Sequence, residues 1–405
     1  MTVVRFGSCD AERQWRPEGL ARLPAVRDTH AERLIQGMDE LQAVLCGPQD
    51  VLLTHHRPDT AFGEVMRAAG FGSRHLAVPG DSALTVEQRL AAHGLPDPAA
   101  LAGARAEPYA VVPGTHAAVK RLGLDADLPE LDTVRQVNSK TWSTRLDLPG
   151  SGQVVTSLDQ LQEATALPCV VKDPYGVSGQ GNIVLDTPTR RALVERHLAR
   201  QSDRIELVVQ PLYEREDDFA AHLTIGPEGE VLWHGVRQIL NNGHSYRGSS
   251  SPSPALLHRL DQCGYRETVE GVAAAAAAEG YKGPLSVDSM TTTAGELIPV
   301  LEVNARLSPG LIAQRLGVRL RLAFVQVRAE NYYQRLVNAL ADAGLLATAG
   351  RPGVLPLAAG TLAPPRGWLF YAVTRDPADT GDVNGGTGGT GGTEPDLSAI
   401  LEQLA

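Results

Sequence analysis

Two short stretches carry carboxylates, an amide and a guanidinium at spacings that can do chemistry: Gly283-Pro284-Leu285-Ser286-Val287-Asp288 and Leu301-Glu302-Val303-Asn304-Ala305-Arg306. Both read as strands. Side chains two apart on a strand share a face, so Glu302, Asn304 and Arg306 line one face while Leu301, Val303 and Ala305 line the other. Carboxylates completed by an amide oxygen, water and phosphate oxygens are what a hard cation such as Mg²⁺ takes. An arginine two residues further suits a phosphate or an acyl phosphate. Taken alone, E-x-N-x-R is more often a solvated strand face, so the rest of the chain has to decide.

Residues of matching chemistry precede it. Lys140 stands in Asn138-Ser139-Lys140-Thr141-Trp142, and Lys172 ends an apolar strand read over 167–172. The turn Gly176-Val177-Ser178-Gly179-Gln180-Gly181 offers backbone N–H groups that can approach phosphate oxygens without side-chain hindrance. Gln210 ends the apolar run 205–210 and meets a hinge, Pro211-Leu212-Tyr213; Arg237 lies on a long strand. Each has a plainer reading, Lys140 and Arg237 as surface cations and the turn as an ordinary hairpin. His55-His56 follows an N-terminal strand and is a candidate substrate contact, but the spacing is not that of a zinc site. Without a G-x-S-x-G elbow no catalytic Ser-His-Asp set is read.

The elements that position these residues follow from periodicity. Residues 51–79 read as strand, helix, strand, and 99–106 and 113–122 as helices. A cap at Ser157 with Gln160 three residues on opens a helix, and Thr187-Pro188 opens another. Strands over 218–225 and 230–239 flank the turn Gly226-Pro227-Glu228-Gly229. Residues 241–254, polar and rich in Gly and Ser, read as a loop, 272–278 as a small-residue helix packed on a sheet, and 315–341 as mainly helical. Short strands alternate with turns over 352–373. The Gly-Gly-Thr repeats of 381–393 read as a flexible segment, and 396–404 as a short amphipathic helix.

With 405 residues, 43% of them apolar and 21% charged, the chain is globular and long enough for two to four compact units. A net charge of −10 argues against binding nucleic acid or a membrane surface, so an anionic substrate must be met by locally clustered cations. The four cysteines, Cys9, Cys46, Cys169 and Cys263, stand far apart and read as reduced thiols. No run is long and apolar enough to span a bilayer and the start lacks the pattern of a signal peptide, so a cytoplasmic location is expected.

The order of Lys140, Lys172, the glycine-rich turn, Gln210 with its hinge, Arg237, Asp288 and Glu302-x-Asn304-x-Arg306 resembles the ATP-grasp superfamily, over residues 133–316. The resemblance implies an α/β (α+β) fold in which a nucleotide is held between two α+β subdomains, 132–210 and 211–330. An N-terminal pre-ATP-grasp α/β domain, 1–131, would precede them and a small C-terminal module, 331–405, would follow. It implies ATP with two Mg²⁺ ions held by Asp288, Glu302 and Asn304, and phosphates met by Lys140, Lys172 and a closing loop containing Gly176, Ser178, Gly179 and Gly181. Adenine would lie at Gln210 and Leu212, and ribose at Asp218, although Asp217, Glu214 and Glu216 crowd the same segment. Arg237 and Arg306 would be the catalytic cations. Ser245, Tyr246, Arg247 and Ser249 stand where an amino acid carboxylate could be held.

The implied reaction passes the γ-phosphate to a carboxylate, and an amine then attacks the acyl phosphate, giving an amide, ADP and phosphate. More loosely, the domain plan and Arg366-Gly367-Trp368-Leu369-Phe370-Tyr371 resemble the pheganomycin-type peptide ligases of actinobacterial natural-product pathways. That would make the partners amino acids or small peptides, joined by a peptide or γ-glutamyl bond; a homodimer is left open. A small-molecule kinase, a carboxylase or a nucleotide-binding protein without turnover are the alternatives.

Overall fold

The computed structural model describes residues 1–25, 28–177, 180–202, 204–243, 245–374 and 395–404. The N-terminal region forms β1 (Val3–Phe6) and β2 (Val51–Thr54), both apolar runs with β-branched residues, and the more polar β3 (Arg74–Ala77) and β4 (Arg105–Pro108). They make a parallel sheet in the order β3-β2-β1-β4. The strand-helix-strand unit expected over 51–79 is present, with the helix Thr60–Ala68 between β2 and β3. The helix expected over 99–106 is instead a 3-10 turn, Pro98–Leu101, followed by β4. Gly103, at φ +74°, turns the chain between them into the sheet.

A second sheet, antiparallel, contains β5 (Gln153–Val155), β6 (Cys169–Val177), β7 (Gln180–Leu185) and β8 (Leu207–Pro211) in the order β5-β8-β6-β7. Its helices start where the caps predict. Ser157 Oγ accepts from Gln160 N before Leu158–Ala164, and Thr187 accepts from Arg190 N before Pro188–Ala199.

The third sheet is the largest. β9 (Arg215–Ile225), β10 (Val231–Asn242), β11 (Ser245–Ser250), β12 (Gly283–Thr292), β13 (Leu297–Asn304), β14 (Arg319–Gln326), β15 (Val354–Pro356) and β16 (Arg366–Val373) pair antiparallel. Their order is β13-β12-β9-β10-β11-β14-β16-β15.

Two expectations fail here. Residues 241–254 are largely strand, because Gly243 at φ +61° turns the chain and β11 then pairs with both β10 and β14. Backbone pairing on both sides needs no apolar side chains. Residues 319–326 are strand too; Arg319-Leu320-Arg321-Leu322 has the two-residue alternation of a sheet, and the helix begins only at Tyr332. The C-terminal stretch adds β15 and β16 to this same sheet.

The helix Tyr265–Ala278 buries Tyr265, Val269, Val272, Ala273 and Ala276 against it. One apolar core includes these residues together with Trp15, Phe62 and Tyr109 of the N-terminal region. The segments 37–40 and 359–360 close a joint: a Cβ on Gly37 would lie 2.3 Å from the Gly360 carbonyl carbon, and Glu40 Oε2 accepts from Ala359 N at 2.6 Å and Gly360 N at 2.9 Å. All four cysteines are free thiols. Among the described residues no helix is long and apolar enough to cross a membrane.

Candidate active site

Register places the chemistry. Glu302 of β13 pairs with Asp288 of β12, Asp288 with Ala220 of β9, and Ala220 with Arg237 of β10. Directly paired residues project from the same face, so Arg237, Ala220, Asp288 and Glu302 form one row across four strands, with a small side chain in its middle. Asn304 pairs with Ser286 one step along that face. Asp218 lies two residues from Ala220 along β9, and its carboxylate accepts from Asn241 at 2.8 Å and from Arg215 at 3.3 Å.

The two lysines come to this row from the second sheet and its flank. Lys140 opens the short helix Lys140–Thr144, capped by Ser139. Its Nζ lies 2.9 Å from Glu302 Oε2 and donates to Gly176 O at 2.7 Å, tying β13 to β6. Lys172 is buried within β6 rather than at its end. Burial pushes its ammonium down to about 8, although Glu302 pulls the other way.

The carboxylates divide. Burial, reinforced by the charge of Glu302, drives the Asp288 carboxyl well above its ordinary range. Burial acts upward on Glu302 too, but Lys140 and then Lys172 overcome it and hold that carboxyl at about 2. Asn304 Nδ2 reaches both, Asp288 Oδ2 at 3.3 Å and Glu302 Oε1 at 3.4 Å, while its Oδ1 accepts from Arg306 Nη2 at 3.1 Å. Two half-buried carboxylates in one row, the Asp288 carboxyl raised by burial and by the charge of Glu302, fit a divalent cation, which would relieve that repulsion. As a third ligand Asn304 would have to turn its amide over.

Arg306 faces the N-terminal region. Its Nε donates to Glu12 Oε1 at 2.6 Å, with Nη2 on the same oxygen, and its Nη1 donates to Tyr109 OH at 3.3 Å. Arg16 pairs with Asp173 of β6. Glu12, Arg16 and Tyr109 carry no signal in the sequence, because their partners are 294, 157 and 197 residues away.

Arg237 is buried, donating to Ser249 Oγ at 3.3 Å and Val318 O at 2.5 Å. Burial pushes the Tyr246 hydroxyl of β11 up to about 12, and the charges of Arg237 and Asp288 act on it in opposite directions. Ser245 sits at the exposed start of β11. Arg247 does not join the row, since its guanidinium lies 4.0 Å from the centroid of the Phe324 ring.

Gly176 and Gly181 lie on β6 and β7, where a Cβ on Gly181 would come within 2.9 Å of Gly176 Cα. Ser178 and Gly179 fall outside the described residues, as does the Gly/Thr-rich segment 381–393. Gln210 is buried in β8 with its amide on Gly150 O, and Leu212 is 40% exposed just beyond.

A Ser-His-Asp arrangement, unread in the sequence, is nonetheless present. His55 Nδ1 lies 3.0 Å from Asp39 Oδ2 and its Nε2 3.4 Å from Ser8 Oγ, all three residues being buried. The Ser8 hydroxyl donates to Glu87 Oε2 at 3.0 Å.

No family model matches the chain. In sequence it is 26% identical over 304 residues to the [butirosin acyl-carrier protein]–L-glutamate ligase of Niallia circulans, covering 70% of this chain and 68% of that protein. In structure it resembles a biotin carboxylase from Campylobacter jejuni, solved as a β,γ-ATP complex, with a TM-score of 0.55 and 10% identity over 93% of this chain and 87% of that one. It also resembles the N5-carboxyaminoimidazole synthetase of Staphylococcus aureus complexed with ADP, with a TM-score of 0.51 and 10% identity over 94% of each chain. The chain therefore has the ATP-grasp fold of these solved enzymes and is similar in sequence to a glutamate ligase.

Proposed function

We propose that the protein activates an amino acid carboxylate with ATP and joins it to an amine, releasing ADP and phosphate. The observation that carries this reading is the convergence of Lys140 and Lys172 on the Asp288–Glu302 pair. Cations and metal ligands without a covalent nucleophile suit phosphoryl transfer, which needs positioning and charge neutralisation.

In this reading Lys140 and Lys172 meet the phosphates, the backbone at Gly176 and Gly181 lies beside them, Gln210 and Leu212 flank adenine, and Asp218 takes the ribose. Asp288, Glu302 and a rotated Asn304 would hold Mg²⁺, two ions in the full site, whose chemistry is to neutralise and orient the triphosphate. Arg237 and Arg306 stabilise charge on the group in transfer. Ser249 and Tyr246, beside Arg237, hold the acid; Ser245 and Arg247 would join only with movement of β11 and loss of the Phe324 contact.

The relative's name specifies L-glutamate and an acyl-carrier protein. We take glutamate as the first acid to test and an amino acid, peptide or carrier-bound amine as acceptor, the product being a peptide or γ-glutamyl amide in natural-product assembly. Phosphate release is screened over pairs of amino acids with Mg-ATP, with and without hydroxylamine. ADP, phosphate and a hydroxamate are expected. AMP and pyrophosphate would contradict the acyl phosphate route, and a stable phosphorylated product would favour a kinase.

A further inference from the structure

The carboxyl edge of the first sheet carries groups that carboxylate activation leaves unused. β1 runs into Gly7-Ser8-Cys9-Asp10 and β2 into His55, and the helix Ala11–Trp15 brings Glu12 to Arg306. In open α/β sheets, ligands gather beyond the carboxyl ends of the strands.

His55 is fixed there. Asp39 Oδ2 accepts from His55 N at 2.6 Å and from Nδ1 at 3.0 Å, which leaves the Nε2 lone pair turned to Ser8. Glu12 is 7% exposed and bonds Arg306 through Oε1, yet its buried Oε2 has no partner. A buried carboxylate oxygen without a donor is costly, so Glu12 Oε2 marks a place for a cation. The two groups share a neighbourhood: burial and Glu12 act upward on the Asp10 carboxyl, while Arg13 and His55 act downward. Burial pushes the Cys9 thiol well up, Asp39, Asp10 and Glu12 add to the rise, and Arg306 opposes it, so all four charges lie within reach of this thiol.

We propose that this edge seats the amine nucleophile, its ammonium held by Glu12 Oε2 and Asp10 beside Arg306, with His55, oriented by Asp39, taking its proton through Ser8. The proposal rests on the ligase reading. The ammonium gives one proton to Ser8 Oγ as the Ser8 hydroxyl turns from Glu87 to His55 Nε2. The freed amine forms the C–N bond and the acyl C–O bond to phosphate breaks, its electron pair leaving with the phosphate oxygen. The second N–H proton leaves with phosphate, and the imidazolium returns its proton to solvent.

The test compares two nucleophiles on the whole protein with Mg-ATP and L-glutamate: a mixture of the other common amino acids, whose amines are ammonium ions at neutral pH, and hydroxylamine, largely uncharged. Hydroxylamine needs neither an ammonium acceptor nor a base. With the amino acids, His55→Gln is expected to lose about 100-fold in amide formation, and Glu12→Gln to raise the KM of the amine about 10-fold. The loss with hydroxylamine should be at most a tenth of these. Equal losses with both nucleophiles in His55→Gln overturn the proposal. Should Glu12→Gln disturb Arg306 and lower both, Asp10→Asn decides: a raised KM confined to the amino acids supports the site, and an unchanged one overturns it. A wild-type protein that yields no hydroxamate overturns the ligase reading itself, and this proposal with it.

Discussion

Lys140 Nζ lies 2.9 Å from Glu302 Oε2 and 2.7 Å from the carbonyl oxygen of Gly176, so one ammonium ties the third sheet to the second. The pair is electrostatic as well as structural. Lys140 is the main force holding the Glu302 carboxyl at about 2 against its burial.

Glu302→Gln keeps the shape and one acceptor for Lys140 while removing a charge from the row. ADP release with Mg-ATP and substrates is expected to fall by about 100-fold or more, with the urea midpoint little changed. Near-wild-type turnover would remove Glu302 from the proposed metal set.

Glu40 gives a pH signature far from the chemistry. Its carboxyl is raised to about 8 by burial, with Asp39 adding to the rise and the amides of Gly360 and Ala359 opposing it. The folded protein therefore keeps a proton that the unfolded chain loses from about 4.5 upward. Stability from this group is complete below the unfolded value and declines as pH rises toward 8, at about 1.4 kcal/mol per pH unit. Glu40→Gln can still accept both amide bonds and cannot ionise. Chemical denaturation should show it gaining on the wild type between about pH 5 and about pH 8.

Arg16 and Asp173 join the N-terminal region to β6 with side chains only 8% and 4% exposed. Arg16→Met leaves a buried carboxylate without its counter-charge and should cost about 3 kcal/mol. Adding Asp173→Asn should recover part of that loss. A single variant as stable as wild type would show the pair to be dispensable.

Gly37→Ala tests the joint at the other side of the molecule. The added Cβ would meet the backbone of Gly360 at 2.3 Å, which no side-chain rotation relieves. A loss of about 2 kcal/mol or more is expected, read as a lower Tm. An unchanged Tm would mean that segment 359–360 moves freely.

By itself the sequence determined the strand pair at Asp288 and Glu302-x-Asn304, because two-residue alternation fixes which side chains share a face. It also determined the helix starts at Ser157 and Thr187, where cap residues announce themselves locally, and the order of lysines, hinge and carboxylates that points to an ATP-grasp fold. Local polarity misled over 241–254, where pairing on both sides makes a strand from Ser, Tyr, Arg and Gly. Only the tertiary structure decided which residues meet across long stretches of chain. Register brought Arg237 into line with Asp288 and Glu302, chain packing set Glu12 and Tyr109 against Arg306, and Ser8, Asp39 and His55 came together at the end of a sheet. Contacts of this kind depend on strand order and the turns between distant elements, and no spacing along the chain encodes them.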